Sequence, residues 1–72
     1  MKKEQILNEL KTEYKSLMEL NEKLLSNKND DLTTQITFNY GRTEMIIMVY
    51  HLLKEIPVSQ AIKELDKNVE IL

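Results

Sequence analysis

The chain contains no cysteine and no tryptophan, and it has only one glycine and one proline among 72 residues. The absence of cysteine excludes disulfides, thiolate zinc sites and nucleophilic thiols. Because tight turns between strands draw on glycine and proline, their scarcity argues against a many-stranded sheet and favours a few long helices. A chain of this length forms a single small helical domain, 1–72, whose core needs well-packed helices or self-association for stability.

An excess of charge of one sign is also lacking. Ten basic and twelve acidic residues leave a net charge of -2, spread evenly along the chain. This balance disfavours both a nucleic-acid binder with a basic footprint and a helix that lies on a membrane through a basic face. The longest apolar run, from Met45 to Leu53, is far shorter than the roughly 20 residues of a membrane span. The first residues carry no apolar signal segment, so we expect a cytoplasmic protein.

The first helix is predicted from Lys3 to Ser26, a stretch without glycine or proline. A row with alternating spacings of three and four residues follows one side of this helix. Its members are Leu7, Leu10, Tyr14, Leu17, Asn21 and Leu24. A buried asparagine in such a row would fix the register of a coiled coil. Because the row covers fewer than three heptads, we favour a solvated Asn21 near the helix end.

The stretch 32–40 is compatible with two structures. Alternation of Ile36, Phe38 and Tyr40 with polar residues is typical of a half-buried strand. Helical spacing also fits, and we prefer a single helix from about Thr33 to Ile56, because it continues one row through the rest of the segment. That row consists of Ile36, Tyr40, Thr43, Ile47 and Tyr50.

The end of the chain is predicted to form a third, short helix. Residues 26–31 are turn-forming and predict the loop between the first two helices. Pro57 ends the second helix, and Ser59 is positioned to cap a helix from Gln60 to about Lys67. The predicted fold is therefore all-α, a long antiparallel helical hairpin plus a short C-terminal helix.

The predicted function is protein binding, based on the apolar middle helix. Eight of the nine residues from Met45 to Leu53 are apolar, more than one buried face of a helix uses. Two other helices cannot cover this surface, so we expect a homodimer formed through the middle helix, or a docked partner protein. Methionines and tyrosines suit such contacts, and the guanidinium of Arg42 suits a carboxylate or a phosphate. The candidate contact residues are Tyr40, Arg42, Met45, Met48, Tyr50 and Leu52.

This interpretation is a small regulatory or inhibitory module without catalytic activity, metal or cofactor. The composition of the chain, rich in lysine, glutamate, asparagine and isoleucine, is typical of small bacterial or phage proteins. The alternative is a helix-turn-helix DNA-binding regulator in 44–67, in which Gln60, Lys63 and Lys67 would contact bases or phosphates.

Two local patterns bear on catalysis. His51 lies seven residues after Glu44 and four before Glu55, but one imidazole with two carboxylates is a poor metal set, and we expect a half-buried histidine. Arg42 is expected to pair internally with a glutamate.

Glu64-Leu65-Asp66 resembles the Glu-Leu-Asp core of small helical-hairpin aspartyl phosphatases that act on response regulators. The serine that usually leads that motif falls at Ile62, and we do not assign the chain to that family.

Overall fold

The computed structural model describes residues 2–26 and 33–69, which form three helices. Helix α1 spans Lys3–Ser26, α2 spans Thr33–Lys54 and α3 spans Val58–Lys67. The first two helices form an antiparallel hairpin, and α3 packs mainly on α2. The predicted all-α fold is thus confirmed, and 33–40 is helical rather than strand. The loop predicted over 26–31 lies almost entirely outside the described residues.

The row predicted along α1 forms its buried side. Leu7, Tyr14, Leu17 and Asn21 are buried, while Leu10 and Leu24 are half-buried beside them. Charged residues occupy much of the opposite side, so one face of α1 meets α2 and the other meets solvent.

The buried row of α2 differs from the predicted one. Asn39, Thr43, Ile46 and Tyr50 are the buried residues of α2. Of the predicted row, Thr43 and Tyr50 are buried, whereas Tyr40 is exposed. The row correctly predicted a helix but does not mark its buried side, because the second half of α2 is apolar on several sides and hydrophobic periodicity does not single out one of them.

The two ends of the hairpin have different cores. At one end Tyr50 and Ile46 of α2 pack with Leu65 of α3 and with residues of α1 in an apolar three-helix core. At the other end the hairpin is joined by Asn21 and Asn39, where the Asn39 Nδ2 donates to the Asn21 Oδ1 at 3.0 Å.

The solvated position expected for Asn21 is therefore wrong. Its residue surface is only 2% exposed, because α2 covers the last turns of α1 and provides Asn39 as a partner. The Nδ2 of Asn21 is buried without a hydrogen-bond partner among the described residues. This buried amide pair resembles the polar pairs that fix register between helices.

The turn from α2 to α3 is a Schellman-type end with one strained residue. The Ile56 N–H donates to the His51 carbonyl at 3.2 Å, the six-to-one bond that closes such a helix end. Glu55 adopts the left-handed conformation, with φ 57°, at a position that usually carries glycine. The ring Nδ1 of His51 lies 2.9 Å from the Ile56 carbonyl, so this half-buried histidine holds the turn.

Helix α3 begins two residues earlier than predicted. Pro57 is its N-cap, with extended backbone and no side-chain cap, and its carbonyl accepts the amide protons of Gln60 and Ala61. Ser59 therefore lies within the first turn and does not cap the helix. Proline fits this start because its fixed φ favours the entry into a helix.

The molecule is elongated. Its radius of gyration is 13.0 Å and its extents are 39 × 24 × 22 Å, whereas a compact chain of this length has a radius of about 11 Å. No helix in the described part of the chain is by itself long and apolar enough to cross a membrane. The segments Thr34–Lys54 and Val58–Lys67 meet that criterion only together, and they are bent by 110° at their break.

Candidate interaction surface

Helix α2 exposes a second apolar row on the side away from its buried row. Five large side chains on this side are between 39% and 68% exposed. With about 100° of rotation per residue, these positions lie roughly opposite Asn39, Thr43, Ile46 and Tyr50. We call them the outer face. The outer face consists of Phe38, Met45, Met48, Val49 and Leu52.

The outer face continues into a shallow groove toward α3. Glu44, Ile47 and Met48 line the groove from α2, and Val58 and Ile62 line it from α3, around a volume of ≈ 280 Å³. Its lining is largely apolar, and Glu44 stands at its edge. The exposed apolar surface is therefore continuous from one side of α2 to the first turns of α3.

The outer face carries no charged side chain. The charged residues of α2 are Arg42, Glu44 and Lys54, and none of them belongs to it. The exposed side of α1, by contrast, includes Glu9 and Glu22 among many charged and polar residues. An apolar row of this kind on a helix surface marks a contact site more often than a solvated face.

Five of the six contact residues predicted from the sequence are exposed. Met45, Met48 and Leu52 belong to the outer face, and Tyr40 lies on a neighbouring side of α2 at 42% exposure. Arg42 is exposed but paired within the chain, and Tyr50 is buried.

The structure places Tyr50 in the core. Its residue surface is 0% exposed, and its Oη donates to Glu64 Oε1 at 2.8 Å. Tyr50 is therefore not exposed to a partner, contrary to the prediction from the sequence. Tyr50 is internal because α3 crosses α2 at this point.

The Arg42 Nη2 lies 2.8 Å from Glu13 Oε1, which matches the expected internal pair with a glutamate of the first helix. Both side chains of that pair are about half exposed, so it contributes little stability.

Sequence reasoning missed Phe38 and Val49. The signal for Phe38 was present as the spacing of Phe38, Met45 and Leu52, which are seven residues apart and lie on one side of a helix. Phe38 also fits the alternation of a strand over 32–40, and this alternation conceals its helical spacing.

Glu64 fastens α3 to the end of α2. Its Oε1 accepts hydrogen bonds from the Lys54 Nζ and the Tyr50 Oη, and its Oε2 accepts one from the Gln60 Nε2 at 3.1 Å. These bonds, first of all the one from Lys54, lower the pKa of Glu64 to about 2. Burial and the Glu64 carboxylate raise the pKa of the Tyr50 hydroxyl, and the bond to Glu64 raises the pKa of Lys54.

Asp66 fastens α3 to α1 in the same way. The Tyr14 Oη donates to Asp66 Oδ1 at 2.6 Å, and burial together with this bond raises the pKa of Tyr14. Leu65 between the two carboxylates is fully buried. The Glu-Leu-Asp triplet that resembles a phosphatase motif is therefore engaged in holding α3 on the hairpin.

Acidification should weaken this attachment. Glu64 has an ordinary pKa of 4.5 and a folded-state pKa of about 2, so the unfolded chain binds the proton at higher pH than the folded chain. Its contribution to stability is complete above the unfolded-state pKa and is lost as the pH falls through the folded-state value. We expect Glu64→Gln to flatten the decline of the urea midpoint between about pH 5 and pH 2.

The control for this measurement is Glu22→Gln on the exposed side of α1, which should leave the pH profile of the midpoint unchanged. A Glu64→Gln profile that runs parallel to that of the wild type would contradict the assignment.

The residues of the alternative DNA-binding interpretation are accessible. Gln60, Lys63 and Lys67 are exposed on α3, and α2 and α3 meet at 110°, within the range of helix-turn-helix units. Gln60 donates to Glu64, and Asp66 is also exposed on this helix. The surface of α3 thus mixes both signs of charge.

His51 does not meet its two neighbouring glutamates in a metal site. Within the described ranges, no group of three or more histidine, aspartate or glutamate side chains is arranged to hold a metal ion. The contact of His51 is with the Ile56 carbonyl in the turn.

Comparison with known protein families, with curated proteins and with solved structures finds no match to this chain.

Proposed function

We propose that this protein is a small helical interaction module that binds another protein chain through the outer face of α2. The observation that carries the proposal is the exposure of five large apolar side chains on a helix whose opposite side is already buried. The proposed role is that of a cytoplasmic regulator or inhibitor. It acts by binding to a surface of a partner protein and not by catalysing a reaction.

The size of the outer face supports this role. With side chains of this kind, its five residues present roughly 500 Å² of apolar surface, near the upper end of the largest patch on an ordinary monomer. Phe38 is a rigid aromatic anchor, while Met45 and Met48 adapt to the shape of a partner. Burial of such a row removes from water the part of α2 that the hairpin leaves uncovered.

Site-specific photo-crosslinking inside cells that produce the chain tests the proposal. A photoreactive phenylalanine analogue placed at Met45 or at Leu52 should form discrete adducts, and the same group at Lys15 or Glu22 on α1 should not. Met48→Glu in the same chain should abolish the adducts, because it places a charge in the middle of the contact. Equal labelling from both faces, or none from α2, would overturn the proposal.

DNA binding is the second candidate, favoured by the 110° between α2 and α3 and by the exposure of Lys63 and Lys67. A helix-turn-helix protein binds duplex DNA non-specifically with a Kd of roughly 0.1 mM or tighter at physiological salt. Binding of a labelled mixed-sequence duplex that disappears in the double variant Lys63→Glu/Lys67→Glu would favour this candidate. If α2 is the binding surface, the same double variant retains the adducts formed at Met45.

A further inference from the structure

We propose that the occupant of the outer face is a second copy of this chain, with the two α2 helices antiparallel and the partner's Leu52 seated over Gly41. This inference rests on the proposed use of the outer face for binding. It is carried by the spacing of the row, by the apolar area of the outer face and by the open space at Gly41.

Four residues of the outer face, together with Gly41, have the spacing of a helix-to-helix seam. Phe38, Gly41, Met45, Met48 and Leu52 follow one another at intervals of three, four, three and four residues. This alternation keeps a row of residues facing one partner helix over several turns. The row occupies 15 positions, about 21 Å of helix, so its natural partner is an apolar row of the same length. A second α2 provides one.

The apolar area of the outer face also fits self-association. The roughly 500 Å² of apolar surface on the outer face is more than half of the approximately 800 Å² that each partner contributes to an ordinary interface. The adjoining groove, with Val58 and Ile62 of α3, extends this apolar surface.

Gly41 decides the orientation. A Cβ atom added at this glycine would meet nothing within 4 Å, so the position is a gap in the row. In a parallel pair the two glycines would face each other and leave the gap unfilled. In an antiparallel pair Met45 faces the partner's Met48, and Gly41 faces the partner's Leu52, a side chain that is 65% exposed in the single chain. A large residue then fills each gap.

The charges around the outer face argue for a protein helix over a charged ligand. Arg42, the basic residue nearest the row, is paired with Glu13 of its own chain, and Glu44 borders the groove. A phosphate backbone or an acidic peptide would therefore find no available cation along the row, whereas an apolar helix finds a matching surface.

Absolute mass in solution tests this inference. Light scattering on a sizing column should give twice the 8.5 kDa of one chain at concentrations from about 5 μM to about 500 μM, the span that resolves a micromolar pairing. Met45→Glu should shift the mass to that of a single chain. Leu25→Glu, at a residue of α1 that is 52% exposed, is the matched control and should remain a dimer.

Gly41→Gln separates loss of pairing from loss of folding. Glutamine is a better helix former than glycine and meets open space in the single chain, so the variant should be at least as helical as the wild type. In the pair it occupies the site of the partner's Leu52, and we expect the dimer Kd to rise by about tenfold or more. A Gly41→Gln dimer with unchanged Kd would overturn the proposed packing.

Cysteine cross-linking tests the orientation, since the chain has no cysteine of its own. A short bismaleimide should join Gly41→Cys chains to Leu52→Cys chains in a mixture, and should join like chains poorly. Preferential joining of like chains would overturn the antiparallel arrangement. A wild-type chain that stays monomeric at 500 μM would overturn the inference as a whole, while adducts from Met45 with a different protein in cells would leave the proposed function standing.

Discussion

Leu65→Ala should remove most of the stability of this protein. Leu65 is 0% exposed and lies between the two carboxylates that hold α3, so its truncation leaves a cavity where the three helices meet. Buried leucine-to-alanine changes cost about 2 to 5 kcal/mol, and a domain of this size has a total stability of roughly 4 to 11 kcal/mol. We expect the Tm, followed by circular dichroism, to fall by at least about 10 °C.

Lys63→Ala is the matched control. Lys63 lies on the same helix but is exposed, and alanine is the better helix former, so the variant should change the free energy of unfolding by less than about 1 kcal/mol. Both variants are compared at one protein concentration, because association would shift the midpoint. Equal losses of Tm in the two variants would contradict the position of Leu65 in the core.

Asn39→Leu should be strongly destabilising, although it adds an apolar side chain to a buried position. It removes the donor to Asn21 Oδ1, and the Nδ2 of Asn21 is already without a partner among the described residues. The amide of Asn21 would then be buried with neither of its polar atoms bonded. Leaving a buried polar group unpaired costs about 1 to 3 kcal/mol, measurable as a lower urea midpoint.

The double variant Asn21→Leu/Asn39→Leu should recover the loss. When both partners are replaced by apolar groups of similar size, no polar atom of the pair is left unpaired, and the result is neutral or stabilising. The coupling energy from the complete double-mutant cycle should therefore exceed about 1 kcal/mol. Additive losses in the two single variants would show that the amides do not depend on each other.

The fold was predictable where one side of a helix differed clearly from the other. In α1, Leu7, Tyr14 and Leu17 stand out against charged neighbours, and the predicted row is the buried one. In α2 apolar residues occur on every side, so the choice of the buried row depends on what α1 and α3 offer. The pairing of Asn21 with Asn39 was not predictable, since asparagine is ordinarily a surface residue and its burial requires a specific partner.

The candidate surface was predicted only in part, because apolar residues occur on every side of α2. Met45, Met48 and Leu52 were identified from the excess of apolar residues in α2, and they are exposed. Tyr50 was included wrongly because the sequence does not show that α3 crosses α2 at that turn. The crossing depends on the positive φ of Glu55, which no propensity for a non-glycine residue would predict.

The unequal ends of the hairpin imply that local opening is graded along the molecule. Near Tyr50, three helices exclude water from the backbone, whereas near Asn39 two helices meet through a single amide pair and a threonine. Amide hydrogen exchange should therefore be slowest around Ile46 and Leu65, approaching the rate of global unfolding, and faster in the first turns of α2. A partner helix on the outer face would also slow exchange in the turn that begins at Phe38, where the chain itself provides less tertiary support than near Tyr50.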